Sequence, residues 1–142
     1  MNLFVDNLRK EKYRKIPFKI SKTQHIVVKA KINNVTGTFI LDTGASNSCV
    51  GFESVEKFLL QAKKSATTAS GAGANGMSTK ESKYNLLQIG TWKWDQSHLI
   101  IFDMTHVNNA LIEHKTKVVD GIIGADVLIA SKAVIDYDNK VI

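Results

Sequence analysis

Asp42, Thr43 and Gly44 end an apolar run in FILDTGAS (39–46) and are followed only by small residues, Ala45 and Ser46. A carboxylate at the end of a buried strand is costly unless it is hydrogen-bonded or paired. Gly44 lets the backbone come close, so N–H groups can turn toward that carboxylate. The Thr43 hydroxyl can lock the turn. A carboxylate held this rigidly suits acid–base work. The tripeptide also serves ordinary turns and helix caps, so alone it fixes no chemistry.

Hydrolysis of a peptide by aspartates requires two carboxylates sharing one proton, one activating water and the other serving the carbonyl. Asp120, in VVDGIIG (118–124), is the internal rival, again an aspartate before a glycine at the end of an apolar run. Only residues 121–142 follow it, too few for a second lobe with its own helix and closing strands. A dyad built on Asp42 therefore needs a second copy of the chain, with a two-fold axis between the carboxylates.

Other reactive side chains offer less. His25, His98, His106 and His114 have no metal-ligand spacing with cysteine or carboxylates, so no metal is expected. His106 and His114 are eight positions apart, roughly on one face of a predicted helix, where a solvated role is the simpler reading. Cys49 sits in an apolar stretch without a base and reads as a buried structural thiol. Ser46 and Ser48 flank the motif, but no G-x-S-x-G elbow supports a serine nucleophile.

The elements that must position Asp42 are mostly strands. HIVVKAKI (25–32) is rich in β-branched residues, NNVTG (33–37) is a turn signal, and TFIL (38–41) returns. This hairpin delivers Asp42 at its end. SCV (48–50) is a further extended piece. FESVEKFLLQ (52–61) changes to a helical period, with Phe52, Val55, Phe58 and Leu59 on one face. Residues 65–80 are small and polar with three glycines, either a surface loop or a hairpin that closes over something. YNLLQIG (84–90) and WKWDQSHLIIF (92–102) form a second strand pair, with Trp92 and Trp94 on one face packing on the core. A short helix is expected over 105–114, with Thr105 as its cap. A strand and then a helix from Gly124 are expected within 117–130, and a closing hairpin turns at Asp138-Asn139.

Composition sets outer limits. A chain of 142 residues with 44% hydrophobic and 23% charged residues suits one globular domain. No apolar run approaches the ~20 residues of a membrane-spanning helix. No signal peptide is expected from the first residues, and one cysteine allows no intrachain disulfide. The expected location is cytoplasmic. The net charge of +6 is uneven: residues 9–22 carry seven basic groups against one acid, and Arg9 and Arg14 are the only arginines. Residues 1–22 are read as a basic N-terminal extension and 23–142 as the domain. The lack of arginine in the body disfavours nucleic acid as a partner.

FILDTGAS, the strand and helix after it, a glycine-rich stretch and then VVDGIIGADVL resemble the retropepsin-like aspartic proteases over residues ~25–142. FDMTHVNNALIEH (102–114) looks like bacterial members of that group. The resemblance implies a mainly β, closed acid-protease barrel with short helices and a flap hairpin. It implies an aspartic endopeptidase working as a homodimer without a cofactor, with Asp42 catalytic, Thr43 gripping its twin and Gly44 facing the substrate backbone. Ile122, Ile123 and Gly124 would cross beside the aspartate loop and complete a ψ-shaped strand arrangement. The flap would lie around 68–80, including Ser70, Gly71, Ala72, Gly73 and Gly76. The substrate would be a peptide bound in extended form. Ala45 stands where pepsin-like relatives often carry a hydroxyl, so it offers the carboxylate no donor. Viral members usually carry an acid and an arginine where this chain has Ser46 and Ala125. Dimer contacts would then fall to Asp126 or the terminal strands. The alternative on the same fold is a noncatalytic peptide-binding or dimerisation module.

Overall fold

The computed structural model describes residues 13–64, 69–71, 74–77 and 79–142. Its strands are β1 (Lys19–Ile20), β2 (Ile26–Ile32), β3 (Val35–Leu41), β4 (Cys49–Gly51), β5 (Lys63–Lys64), β6 (Ala69–Gly71), β7 (Ala74–Met77), β8 (Lys80–Ile89), β9 (Trp92–Phe102) and β10 (Gly121–Ile123). Two short helices, α1 (Thr105–Glu113) and α2 (Ala125–Ser131), accompany them. No helix among the described residues is long and apolar enough to cross a membrane.

The main sheet runs β1-β2-β3-β10-β4-β9-β8-β5, and β8 pairs back onto β2 through Lys31↔Gln88 and Ile32↔Leu87. Six strands thus close into a barrel, which removes their free edges. β6 and β7 form a separate antiparallel pair. Ser70, Gly71 and Gly76 of the expected flap lie in that pair, while Ala72 and Gly73 fall outside the described residues.

Burial explains why some strands alternate and others do not. In β2, Ile26, Val28, Ala30 and Ile32 point inward while Lys29 and Lys31 are exposed, the period-two pattern of a strand with one wet face. In β3, β4 and β9 neighbouring residues go to two different cores. Phe39, Leu41, Val50, Leu99 and Ile101 fill the barrel. Ile40, Cys49, Ile100 and Phe102 point outward and are covered by Met104, Leu111 and Val119. Both faces are dry, so FIL and LIIF read as unbroken apolar runs.

The hairpin turn is tighter than NNVTG suggests. Only Asn33 and Asn34 leave the strands, with φ of 50° and 70°, as a two-residue primed turn needs. Asn33 then ties the turn to the barrel: Nδ2 donates to Phe58 O and Oδ1 accepts from Leu86 N.

Two expectations are corrected. Residues 52–61 do not form an amphipathic α-helix. Phe52–Ser54 is a 3₁₀ turn, and the chain stops at Leu59, which has φ of 58°. Leu59 N donates to Glu56 O and Leu60 N to Val55 O, the bonding of a helix C-terminus with leucine in the usual glycine place. The reversal sends Phe58 and Leu60 into the core and leaves Leu59 and Phe52 exposed. Thr105 is not the cap of α1. Asp103 Oδ1 accepts from the Thr105 amide at 2.8 Å and from its hydroxyl, and these bonds lower the Asp103 carboxyl below its ordinary range.

Residues before position 23 also make contacts with the barrel. Ile16 N donates to Ile142 O, Phe18 is buried, and β1 pairs with β2. The segment from Ile16 therefore packs on the folded body, with Phe18 in the barrel core. Trp92 and Trp94 pack beside each other against the core as expected, ring centroids 6.0 Å apart.

Candidate active site

β10 makes the site possible. It runs parallel to β3 (Ile122↔Ile40, Ile123↔Leu41) and antiparallel to β4 (Gly121↔Val50), so it threads between two strands that are neighbours in sequence. The fit is tight: a Cβ on Gly121 would lie 2.1 Å from Cys49 O. Any side chain there would force β3 and β4 apart. Ile122, Ile123 and Gly124 thus lie beside the aspartate loop.

Asp42 leaves the sheet at the last rung of that ladder, its amide donating to Ile123 O at 2.9 Å. The Gly44 amide turns back and donates to Asp42 Oδ1 at 2.8 Å, and Ala45 N donates to Asp42 O at 3.2 Å. The carboxylate thus organises its own turn. Asp42, Thr43 and Gly44 remain exposed in the single chain.

The far side of the loop is fastened to the start of α2. Ala125 N donates to Ala45 O at 2.7 Å, and a Cβ on Gly124 would stand only 2.5 Å from that oxygen. Gly124 N donates to Ser48 Oγ at 2.8 Å. Ser48 Oγ in turn donates to Asp126 Oδ1 at 2.7 Å, and the Ser48 amide reaches the same oxygen at 3.0 Å. Ser48 is buried and acts as a strut between loop and helix. Sequence reasoning considered Ser48 only as a nucleophile and Asp126 only as a dimer contact. The available signal was an aspartate in the first turn of a helix beside the motif.

Asp120 is placed elsewhere and is already engaged. Its Oδ2 accepts from Thr38 N at 2.9 Å and its Oδ1 from Ser54 Oγ at 3.2 Å, while Lys57 Nζ pairs with it at 3.0 Å. Thr38 is four residues before Asp42 along β3, about 13 Å at the strand rise. Asp120 therefore fastens β3 to the 52–59 segment and is not a partner for Asp42.

Asp42 opens onto a cleft of about 1020 Å³. Ile40, Ile100, Phe102, Leu111 and Ile122 line it, with Ser46, Asn47 and His25 among its polar groups. Cys49 also borders it, but burial pushes this thiol up to about 12, so it stays protonated and unreactive near neutrality.

A closed six-stranded barrel with β10 threaded beside an Asp-Thr-Gly loop defines the retropepsin-like fold. Residues 28–127 match the sequence model of the family described as aspartyl protease, and the chain belongs to that family. Solved structures with this fold include the EIAV protease complexed with the inhibitor HBY-793, at TM-score 0.60 and 16% identity, covering 81% of this chain and 95% of the viral one. A retropepsin-like aspartic protease from Rickettsia conorii aligns at TM-score 0.55 and 18% identity, covering 82% of this chain and 79% of its own. The retroviral protease-like domain of Ddi1 from Leishmania major aligns at 0.53 and 18%, covering 82% and 90%. No curated protein sequence matches the chain.

Proposed function

We propose that this chain is an aspartic endopeptidase that works as a homodimer, each copy contributing one Asp42. The observation that carries the reading is the carboxylate itself: rigidly held by Gly44 N and the β10 ladder, yet exposed at the mouth of a cleft. In the paired site one Asp42 is ionised and takes a proton from water as the oxygen attacks the peptide carbonyl carbon. The other, protonated, gives its proton to the carbonyl oxygen. The tetrahedral diol then collapses, the C–N bond breaks, and the amine leaves with a proton from the dyad. Thr43 holds its twin across the axis, Gly44 lets the substrate backbone approach, and Ala45 keeps the turn compact. The β6–β7 pair serves as the flap over an extended peptide. The cytoplasm is the proposed place of action.

The test is specific activity on a short fluorogenic peptide against protein concentration, with molecular mass measured in parallel. Activity should rise in step with the dimer fraction. Full turnover by a species shown to be monomeric would remove the shared dyad. A stable dimer that binds extended peptides but cleaves none would favour the noncatalytic module.

A further inference from the structure

The face of α1 that lines the cleft carries His106, Val107, Ala110, Leu111 and, at the helix cap, His114. This spacing is one side of a helix. Leu111 is buried and Val107 half-buried against the outer core, whereas both histidines are exposed. At the helical rise they stand about 12 Å apart, at either end of an apolar wall. Lys22 and His25, from the turn between β1 and β2, line the same cleft. Among the described lining residues Asp42 is the only carboxylate, and the proposed chemistry occupies it. The other acids near α1 are Asp103, engaged with Thr105 at its start, and Glu113, which is not among the cleft-lining residues.

We propose that the α1 wall selects the substrate: a peptide with a large apolar side chain seated against Leu111 and Phe102, and a nearby Asp or Glu received by His106 or His114. This deepens the protease reading and rests on it. Imidazole N–H groups donate to a carboxylate, and more strongly when protonated. A substrate lysine would meet the Lys22 ammonium on the same rim, with no lining carboxylate besides Asp42 to pair with it. The apolar stretch between the histidines supplies affinity by burial, while the rim supplies choice.

The experiment uses the full chain and octapeptides with a central Leu-Phe pair, in which Glu, Gln or Lys is scanned over the flanking positions. At the favoured position wild-type kcat/KM should be about three- to fivefold higher for Glu than for Gln, the size expected of an exposed charge contact, and lowest for Lys. His106→Gln combined with His114→Gln should bring the Glu/Gln ratio close to one, and His106→Glu with His114→Glu should reverse the order in favour of Lys. The same peptides are ranked by fluorescence anisotropy on Asp42→Asn protein, which reads the cleft without cleavage. If wild-type dimer cleaves no peptide, the protease reading fails, and the binding order alone decides the acidic preference. Equal handling of Glu and Gln peptides at every position, or a ratio indifferent to both double variants, overturns the proposal.

Discussion

Ser48 and Asp126 are joined twice, the Ser48 hydroxyl at 2.7 Å and its amide at 3.0 Å both reaching Asp126 Oδ1. The same hydroxyl accepts from the Gly124 amide, so one buried oxygen links the aspartate loop, β10 and α2. Ser48→Ala strands a buried amide and should cost about 1–3 kcal/mol, read as a lower urea midpoint. Asp126→Ala should also destabilise, and the double variant should fall short of the sum, because both remove one network. Additive losses would show that the two residues act separately.

Asp42→Asn should abolish cleavage while leaving the urea midpoint close to wild type, since the amide is nearly isosteric and still accepts from Gly44. Asp120→Asn should behave in the opposite way. It weakens the Lys57 pair, a partly exposed contact worth under ~1 kcal/mol, and leaves kcat near normal. A dead Asp120→Asn enzyme with an intact fold, beside an active Asp42→Asn, would exchange the two roles.

Cys49 predicts a loss of stability in alkali. Burial raises its thiol in the folded protein from 9.0 to about 12, so the unfolded chain loses this proton first. The native state then holds more protons than the unfolded state, and stability falls as pH rises. The contribution is complete below pH 9 and disappears between pH 9 and 12. By pH 10.5 the deficit should reach roughly 2 kcal/mol. Chemical denaturation at pH 8 and pH 10.5 should show a smaller drop in Cys49→Ala than in wild type. An equal drop in both proteins would assign the alkaline loss to other groups.

Phe18 tests where the folded body begins. Its ring is buried and meets Tyr137 edge-on, centroids 6.1 Å apart. Phe18→Ala should cost about 3–5 kcal/mol, as truncation of a core phenylalanine does, and truncation through residue 20 should prevent stable folding. A truncated chain with an unchanged melting temperature would return residues 16–20 to the status of an appendage.

Much of the frame was legible in local sequence, for reasons that are themselves local. Asn33-Asn34 between two β-branched runs favours a hairpin, because asparagine tolerates positive φ and β2 alternates cleanly with one wet face. Trp92 and Trp94 share a face because side chains alternate along any strand. FILDTGAS and GIIG were readable as paired motifs only through their resemblance to the retropepsin-like family, and the close backbone approach at Gly121 and Gly124 supplies the physical reason for both glycines.

Tertiary structure decided what no local pattern contains. FESVEKFLLQ has a helical period, yet Phe58 must reach Phe39, 5.9 Å between ring centroids, and the chain breaks at Leu59 to allow it. Burial of Phe58 and Leu60 outweighs the backbone cost at Leu59. Residues 16–20 look like a charged tail, but Phe18 fills the barrel and Ile16 bonds to the last residue, a pairing across the whole length of the chain. Asp42, Asp120 and Asp126 are the same residue type, and Asp42 and Asp120 each end an apolar run in the sequence. Only the fold separates them: Asp120 meets a lysine, Asp126 meets a serine, and Asp42 meets the open cleft. A carboxylate's role depends on the partners around it, and those partners come from segments that sequence distance keeps apart.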